Sequence, residues 1–213
     1  MTAQAVLFDL DGTLLDTSYD LFAAVEHTHQ QLGEKLTVKR LDLYPIYGNG
    51  VHAILAKTLQ RKPSDNECQL CLQYYRENIC KNTREYPGIS KLLKSLQERA
   101  LPWGIVTNKP EKLTHSLIKY FNYDQTAACI IGGDTTTERK PHPRPLLYAA
   151  ELINIKPENC LYIGDNLRDI QAGKAANMKT IAASYGFISP GTDITDWQAD
   201  YIINQSIDTL SYV

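Results

Sequence analysis

The amino-acid sequence predicts an α/β fold with a parallel sheet and a helical insertion near its start. From Pro87 onward, short apolar runs alternate with amphipathic helical patterns. Strands and helices that alternate in this way form βαβ units with right-handed crossovers. Residues 17–86 instead show helical patterns and no convincing strand. We therefore expect residues 1–16 and 87–213 to form the core, and residues 17–86 to form an inserted helical domain.

The core begins with the apolar run Ala5-Val6-Leu7-Phe8, which ends at two carboxylates in alternate positions, Asp9 and Asp11. The side chains of a strand alternate between its faces, so both carboxylates would lean the same way if the strand continued. Gly12 then lets the backbone turn sharply. Two carboxylates at the end of a buried strand repel each other unless a cation or a shared proton relieves the charge. This arrangement indicates chemistry, and the alternative is a solvated turn.

Three amphipathic helices are predicted within the helical insertion (residues 17–86), over residues 18–33, 51–59 and 63–79. Asp16 and Ser18 are both candidates for the N-cap of the first helix. Cys68 and Cys71 in the third helix have the spacing of half a zinc site, but no second pair exists. Cys68 fits the apolar face of that helix, so we predict packing rather than metal binding.

The rest of the chain supplies the alternating elements of the core. Strands are predicted at residues 102–107, 127–131, 160–163, 180–183 and 201–203, and helices at residues 89–96, 111–121, 144–153 and 167–176. In open parallel sheets, ligands bind beyond the carboxyl ends of the strands. The polar residues at those predicted ends are Asp9, Asp11, Thr107, Asn108, Lys140 and Asp165. Carboxylate oxygens suit Mg²⁺, and a hydroxyl, backbone amides and a lysine suit phosphate oxygens, so the set indicates phosphoryl transfer.

Composition restricts the partners and the compartment. The chain has 213 residues with a formal net charge of −2, which gives no signal for nucleic acid or an anionic membrane. Five cysteines, an odd number, indicate reduced thiols. We find neither a signal peptide nor an apolar stretch of about 18 residues that would span a membrane. The sequence therefore predicts a soluble cytoplasmic protein without nucleic-acid or membrane partners.

These residues resemble the haloacid dehalogenase superfamily of phosphohydrolases over essentially the whole chain. The motifs that carry the resemblance occur in the expected order: Asp9-x-Asp11-Gly12-Thr13, Thr107-Asn108, Lys140-Pro141 and Gly164-Asp165-x-x-x-Asp169. Each motif alone is weak, whereas four in order at strand ends are specific. The resemblance implies a Rossmann-like core with a small inserted helical cap domain, and a phosphoric monoester hydrolase that uses Mg²⁺.

Two groups within the superfamily are similar to the chain. Tyr47-Gly48-Asn49-Gly50-Val51 and Lys140-Pro141-His142-Pro143 resemble phosphoglycolate phosphatases. The run from Gly164 to Ile170 and the tail from Tyr185 to Asp200 resemble N-acetylmuramic acid 6-phosphate phosphatases. The predicted cap favours the first group slightly. A phosphomutase and a non-enzymatic phosphate-binding regulator remain as alternatives, and the sequence leaves the oligomeric state open.

The resemblance also implies a role for each motif residue. Asp9 matches the nucleophile that forms an aspartyl-phosphate, and Asp11 matches the general acid that protonates the leaving group and later activates water. Mg²⁺ would be held by Asp9, Asp165 and the backbone carbonyl of Asp11.

Further roles follow for the residues around these carboxylates. Thr107 and the backbone amide of Asn108 would hold the transferring oxygens, and Lys140 would neutralise the developing charge. Asp169, one helical turn beyond Asp165, would orient Lys140 or a water on the metal.

Residues in the insertion and one loop histidine are further candidates for substrate contacts. Gly48, Asn49 and Gly50 are candidates to read the substrate from the predicted cap, and Tyr44, Tyr47 and His52 are candidates to meet its organic part. His142 stands between two prolines and could either contact the substrate or cap its loop.

Overall fold

The structure of the chain is a computed structural model that describes residues 3–189 and 191–213. The predicted core includes Met1, Thr2 and Pro190, and these three residues lie outside the described ranges. Within those ranges, no helix is both long enough and apolar enough to cross a membrane. The predicted fold class is confirmed, because helices surround a parallel sheet of six strands in this part of the chain.

The predicted elements occur in the predicted order, together with short elements that were not predicted. The strands are β1 (Ala5–Phe8), β2 (Leu15–Asp16), β3 (Arg84–Glu85), β4 (Trp103–Val106), β5 (Cys129–Ile131), β6 (Cys160–Gly164), β7 (Lys179–Ala183) and β8 (Tyr201–Ile203). The α-helices are α1 (Ser18–Leu32), α2 (Tyr44–Tyr47), α3 (Val51–Leu59), α4 (Asp65–Glu77), α5 (Ile89–Glu98), α6 (Glu111–Ile118), α7 (Tyr123–Thr126), α8 (Arg144–Leu152) and α9 (Leu167–Ala175). Most bounds lie within two residues of the predicted ranges, which is the usual uncertainty of an element end.

The main sheet has the strand order β5-β4-β1-β6-β7-β8, and every neighbouring pair in it is parallel. β1 lies inside the sheet, and its four side chains are completely buried. Val6 and Phe8 pack in one apolar cluster with α5 and α6, whereas Ala5 and Leu7 pack in another with α8 and α9. Helices therefore cover both faces of this strand, which explains why its sequence is apolar without alternation.

The helical insertion has an apolar cluster of its own. Side chains of α1, α2, α3 and α4 pack together, and two residues from the core side, Leu113 and Phe187, join them. Where the chain enters and leaves the insertion, β2 and β3 form a two-stranded antiparallel ladder in which Leu15 lies opposite Glu85. The prediction that no strand occurs between Thr17 and Glu85 is therefore wrong at β3. A strand of two residues is too short to show an alternating pattern in the sequence.

Two helices differ locally from the predictions, whereas the packing predicted for Cys68 in α4 is confirmed. Neither N-cap candidate for the first helix is correct: Thr17 holds that position without a side-chain bond, Ser18 is the first helical residue, and the Asp16 carboxylate accepts a hydrogen bond from the Ser18 nitrogen at 3.0 Å. In α4, Cys71 is the buried cysteine and Cys68 lies at the margin of the same cluster. The helix predicted over residues 111–121 ends at Ile118 and continues as a short 3-10 turn.

Candidate active site

The order of the strands brings three of the predicted motifs to neighbouring positions. β1 lies between β4 and β6, so Asp9 after β1 has Thr107 on one side and Asp165 on the other. Because the three strands are parallel, their carboxyl ends meet at the same edge of the sheet. Residues that are up to 156 positions apart in the sequence can therefore act on one ligand.

Three carboxylates converge at this edge. One oxygen each of Asp9, Asp165 and Asp169 lie within 4.8 Å of one another. Asp165 and Asp169 are buried, and the Asp9 side chain is 13% exposed. Asp165 is held from two sides, since it accepts hydrogen bonds from the Thr13 hydroxyl at 3.0 Å and from the Phe187 nitrogen at 2.8 Å. The set offers only hard oxygen donors, which is the chemistry that a divalent metal such as Mg²⁺ or Ca²⁺ prefers.

The charge of this cluster is incompletely compensated. Burial, together with repulsion from Asp9 and Asp169, raises the pKa of Asp165 well above its usual range. Burial also raises the pKa of Asp169 to about 6, although the neighbouring Lys140 ammonium opposes that shift. Within the described residues, Lys140 is the cation that contacts these carboxylates, at 3.0 Å from Asp9 and 2.7 Å from Asp169.

Lys140 is anchored entirely by the core. Its ammonium also donates to the Val106 carbonyl at 2.9 Å and to the Tyr162 hydroxyl at 2.7 Å, and its side chain is 1% exposed. The side chain of Asn108 exchanges two hydrogen bonds with the Lys140 backbone, at 2.9 and 3.0 Å, and so joins the two loops. For Asn108, only the backbone amide was predicted to act. Tyr162 was not predicted, because a tyrosine is ordinary in an apolar strand.

Asp11 lies outside the cluster of three carboxylates and forms an ion pair of its own. Both of its oxygens lie 3.1–3.2 Å from the ammonium of Lys109, whose side chain is 4% exposed. The same ammonium donates to the hydroxyl of Tyr75 in α4 at 2.9 Å. Lys109 is not among the predicted site residues, because a loop lysine is ordinarily solvated. Its place directly after Thr107-Asn108 was the available signal.

A cavity of about 420 Å³ opens onto these residues. Its floor includes Asp9, Asp11, Thr107, Asn108, Lys109, Lys140 and Asp165, and its roof includes Leu21, Tyr44, Tyr47, Gly48, Asn49, Gly50, Ile54 and Tyr75 from the helical insertion. The core thus contributes the polar and charged groups, while the insertion contributes mostly apolar ones. A ligand in this cavity would place a charged end against the sheet edge and an organic part against the helices.

Neither of the two candidate histidines lines the cavity. His52 is exposed and lies outside the lining of the cavity, because it faces away from the buried side of α3. His142 is exposed as well, and its Nδ1 accepts a hydrogen bond from the Arg144 nitrogen at 3.1 Å. That bond gives His142 the alternative role that the sequence allowed, the capping of its own loop.

The predicted substrate loop of the insertion contacts the core through a residue that the sequence did not single out. The Arg168 guanidinium donates to the Gly48 carbonyl at 2.7 Å, and Arg168 also lines the cavity. Arg168 lies between Asp165 and Asp169, in the first turn of α9, so the segment that carries two of the clustered carboxylates also contacts the insertion.

Comparison with known proteins places this site in a family. The family model of haloacid dehalogenase-like hydrolases matches residues 6–183, which is most of the chain and includes all four motifs. The chain belongs to the haloacid dehalogenase-like hydrolases.

Relatives of this hydrolase include both predicted groups. A phosphoglycolate phosphatase of Xylella fastidiosa (strain Temecula1) is 38% identical over 205 residues, which cover 95% of this chain and 89% of the relative. An N-acetylmuramic acid 6-phosphate phosphatase of Pseudomonas aeruginosa is 35% identical over 208 residues, which cover 96% of this chain and 92% of the relative. The crystal structure of a predicted phosphoglycolate phosphatase from Haemophilus somnus superposes with a TM-score of 0.87 at 26% identity, over 99% of this chain and 98% of the other. The predicted family and the predicted enzyme class, a phosphoric monoester hydrolase, are confirmed.

Proposed function

We propose that this hydrolase cleaves a small phosphomonoester in a Mg²⁺-dependent reaction through an aspartyl-phosphate on Asp9. The observation that carries the proposal is the convergence of Asp9, Asp165 and Asp169 with Lys140 at the floor of the cavity. Asp11 lies two residues after Asp9 and lines the same cavity. A nucleophile, a candidate acid and a buried cation thus surround one space that a phosphate could enter.

The donor set fits Mg²⁺. The three clustered carboxylates face one ammonium, so a divalent cation would offset charge that the described residues leave uncompensated. We propose that Asp9, Asp165 and the backbone carbonyl of Asp11 hold the ion, while Asp169 keeps Lys140 in place. When bound, Mg²⁺ would neutralise negative charge on the phosphoryl group.

We propose the following chemistry for the residues of the chain. A carboxylate oxygen of Asp9 forms a bond to phosphorus while the bond from phosphorus to the ester oxygen breaks, and Asp11 gives the departing oxygen a proton. Asp11 then takes a proton from water, whose oxygen bonds to phosphorus as the bond to Asp9 breaks. Phosphate is released, and both carboxyl groups return to their starting states.

The remaining site residues would act on the phosphoryl oxygens. The Thr107 hydroxyl and the Asn108 amide would donate hydrogen bonds to them, and Lys140 would offset the charge that develops during transfer. Thr107 is 3% exposed and its hydroxyl accepts from the Lys109 nitrogen at 3.2 Å, an arrangement that leaves the hydroxyl proton free for an oxygen in the cavity.

For the substrate, we propose 2-phosphoglycolate, which the names of several relatives suggest. N-acetylmuramic acid 6-phosphate is the second candidate, and the cavity favours it. A two-carbon acid would leave much of a 420 Å³ cavity unfilled, whereas a phosphorylated sugar could contact Tyr44 and Ile54 in the apolar roof. Gly48, Asn49 and Gly50 would contact the organic part of either substrate.

We propose that residues 17–86 form a movable cap on a core of residues 1–16 and 87–213, and that closure excludes water from the cavity. The separate apolar cluster of the insertion supports this division. We also propose that the enzyme works in the cytoplasm on small molecules, without nucleic-acid or membrane partners. Its five cysteines are free thiols, which supports a reducing compartment.

The test is a comparison of kcat/KM for 2-phosphoglycolate and N-acetylmuramic acid 6-phosphate, with Mg²⁺, on the wild type and on Asp9→Asn. We expect phosphate release from one of the two, and a loss on the order of 10⁴-fold or more in Asp9→Asn. Asp124→Asn, which alters an exposed carboxylate of α7, is the matched control and should keep full activity. Substantial turnover by Asp9→Asn would contradict the nucleophile, and transfer of phosphate to a hexose phosphate rather than to water would indicate a phosphomutase.

A further inference from the structure

Asp11 is connected to the helical insertion through two buried side chains, those of Lys109 and Tyr75. The Lys109 ammonium lies 3.1 and 3.2 Å from the two Asp11 oxygens, and it lies 2.9 Å from the Tyr75 hydroxyl. Asp11 follows β1, Lys109 follows β4, and Tyr75 belongs to α4 of the insertion. All three residues line the cavity. A contact thus runs from the proposed cap to the proposed general acid.

The position of Lys109 is costly unless its partners are in place. Its side chain is 4% exposed, and an ammonium that is removed from water needs paired charge and hydrogen bonds. Burial lowers the pKa of Lys109, but Asp11 and Tyr75 more than offset this effect, so the group remains a cation. The Tyr75 ring adds a favourable contact, with its centroid 4.7 Å from the ammonium.

The two buried lysines of the site therefore have different surroundings. Lys140 contacts Asp9 and Asp169 and is anchored by core groups alone. Lys109 contacts Asp11 and obtains its remaining hydrogen bond from the insertion. If the insertion moves away from the core, Lys140 keeps its hydrogen bonds, whereas Lys109 loses Tyr75.

We propose that Lys109 is a positioning residue that fixes the orientation of the Asp11 carboxylate, and that Tyr75 makes this orientation depend on closure of the insertion. The inference deepens the proposed function and rests on it. With both Asp11 oxygens held by one ammonium, the carboxyl group has a single orientation toward the cavity. Proton transfer to the leaving oxygen is then efficient only when Tyr75 has completed the environment of Lys109.

The arrangement has a specific kinetic consequence. An ester whose leaving group is a poor anion needs a proton during cleavage, whereas 4-nitrophenolate leaves readily without one. Loss of Asp11 positioning should therefore slow phenyl phosphate more than 4-nitrophenyl phosphate, although the two molecules fill the cavity similarly. The quantity to compare is kcat/KM, because it reports steps up to departure of the leaving group and omits later hydrolysis on Asp9.

The experiment measures kcat/KM for both aryl phosphates, with saturating Mg²⁺, on the wild type, Tyr75→Phe and Lys109→Met. For Tyr75→Phe we expect a loss of about fivefold on phenyl phosphate and less than about twofold on 4-nitrophenyl phosphate. For Lys109→Met we expect a loss of about 10- to 100-fold on phenyl phosphate, again with a smaller loss on the nitro compound. Tyr74→Phe removes a hydroxyl from the same helix outside the cavity lining and should leave both values unchanged.

The outcomes separate this inference from the proposed function. If Tyr75→Phe and Lys109→Met reduce kcat/KM for both compounds by equal factors, the two residues are merely structural and the inference is wrong. If the wild type hydrolyses neither compound and no other phosphomonoester, the proposed function itself fails. Thermal unfolding of each variant shows whether it folds. If Lys109→Met does not fold, the kcat/KM values of Tyr75→Phe alone test the inference.

Discussion

The carboxylate of Asp20 accepts hydrogen bonds from both the backbone nitrogen of Thr83, at 2.9 Å, and its hydroxyl, at 2.7 Å. Asp20 lies in the first turn of α1, where the chain enters the helical insertion, and Thr83 directly precedes β3, where the chain leaves it. The backbone nitrogen of Asn82 donates to the same carboxylate at 2.9 Å. This buried side chain therefore joins the two crossings between the insertion and the core.

Asp20→Ala should lower the free energy of unfolding by about 3 kcal/mol. The substitution leaves the buried donors of Thr83 and the backbone nitrogen of Asn82 without their partner, and hydrogen bonds to a charged group contribute about 1.5–3 kcal/mol. Urea unfolding measures the loss. The control is Asp65→Ala, which removes an exposed carboxylate from the first turn of α4 and should cost about 0.5 kcal/mol. Equal losses in the two variants would show that Asp20 does not join the crossings.

Gly12→Ala should abolish activity and weaken Mg²⁺ binding while the chain still folds. Gly12 has φ 90°, which L-residues rarely adopt, and a methyl group there would collide with the carboxylate of Asp165. Gly33→Ala is the matched control, because Gly33 has φ 66° with no atom within 4 Å of the added methyl group. The rise in Tm on addition of Mg²⁺ reports binding in each variant. Loss of that rise in both variants would mean that backbone strain, not the collision, is responsible.

Asp200 should make stability depend on pH in the acidic range. Burial raises the pKa of its carboxyl group. Hydrogen bonds from Lys179 at 2.7 Å and from the Thr180 nitrogen and hydroxyl at 2.9 Å lower the pKa by more than burial raises it, so the pKa lies below its usual range. A depressed pKa in the folded state adds stability above the unfolded pKa of about 3.9, and this contribution is lost as pH falls through the folded pKa. Asp200→Asn should be less stable than the wild type at pH 7, with a smaller difference at pH 3.

The urea midpoints of both proteins at the two pH values measure this effect. Asp196→Asn, at an exposed carboxylate of the same tail, should behave like the wild type at both. A constant difference between Asp200→Asn and the wild type would contradict the role of ionisation.

Arg168→Met should raise KM for 2-phosphoglycolate or N-acetylmuramic acid 6-phosphate, with little change for 4-nitrophenyl phosphate. The guanidinium holds the Gly48 carbonyl at 2.7 Å, so its removal would loosen the loop that is proposed to contact the organic part of the substrate. We expect KM to increase about fivefold, which is the effect of losing one hydrogen bond. The comparison is Arg139→Met. Arg139 is another cationic residue of the cavity lining, and it lies between β5 and α8 rather than in α9. An equal rise in KM for all substrates would indicate a general effect on phosphate binding.

Much of the candidate site could be predicted from local sequence. The apolar run before Asp9, the run before Thr107 and the run before Asp165 each identify a buried strand, because only an apolar segment can be covered on both faces. Parallel strands place their carboxyl ends together, so the polar residues after these runs were expected to meet. The convergence of Asp9, Thr107 and Asp165 at one edge of the sheet has this origin.

Other features were invisible in the sequence because they depend on distant partners. Lysine is ordinarily solvated, and nothing next to Lys109 in the chain shows that Asp11 and Tyr75 surround it. The pairing of β3 with β2 was missed for a related reason: two residues carry no periodic pattern, and only the folded chain brings them together.

Short runs of neighbouring residues are enough to predict the alternation of strands and helices, the family, and the residues at the strand ends. The pairing of each cation with its carboxylate depends instead on the folded chain: Lys140 contacts Asp9, and Lys109 contacts Asp11. The same is true of the cavity, whose apolar roof comes from the insertion and whose charged floor comes from the core. Ion pairs and cavities form between segments far apart in the chain, and the strand order and the packing of the helices set the distances between them.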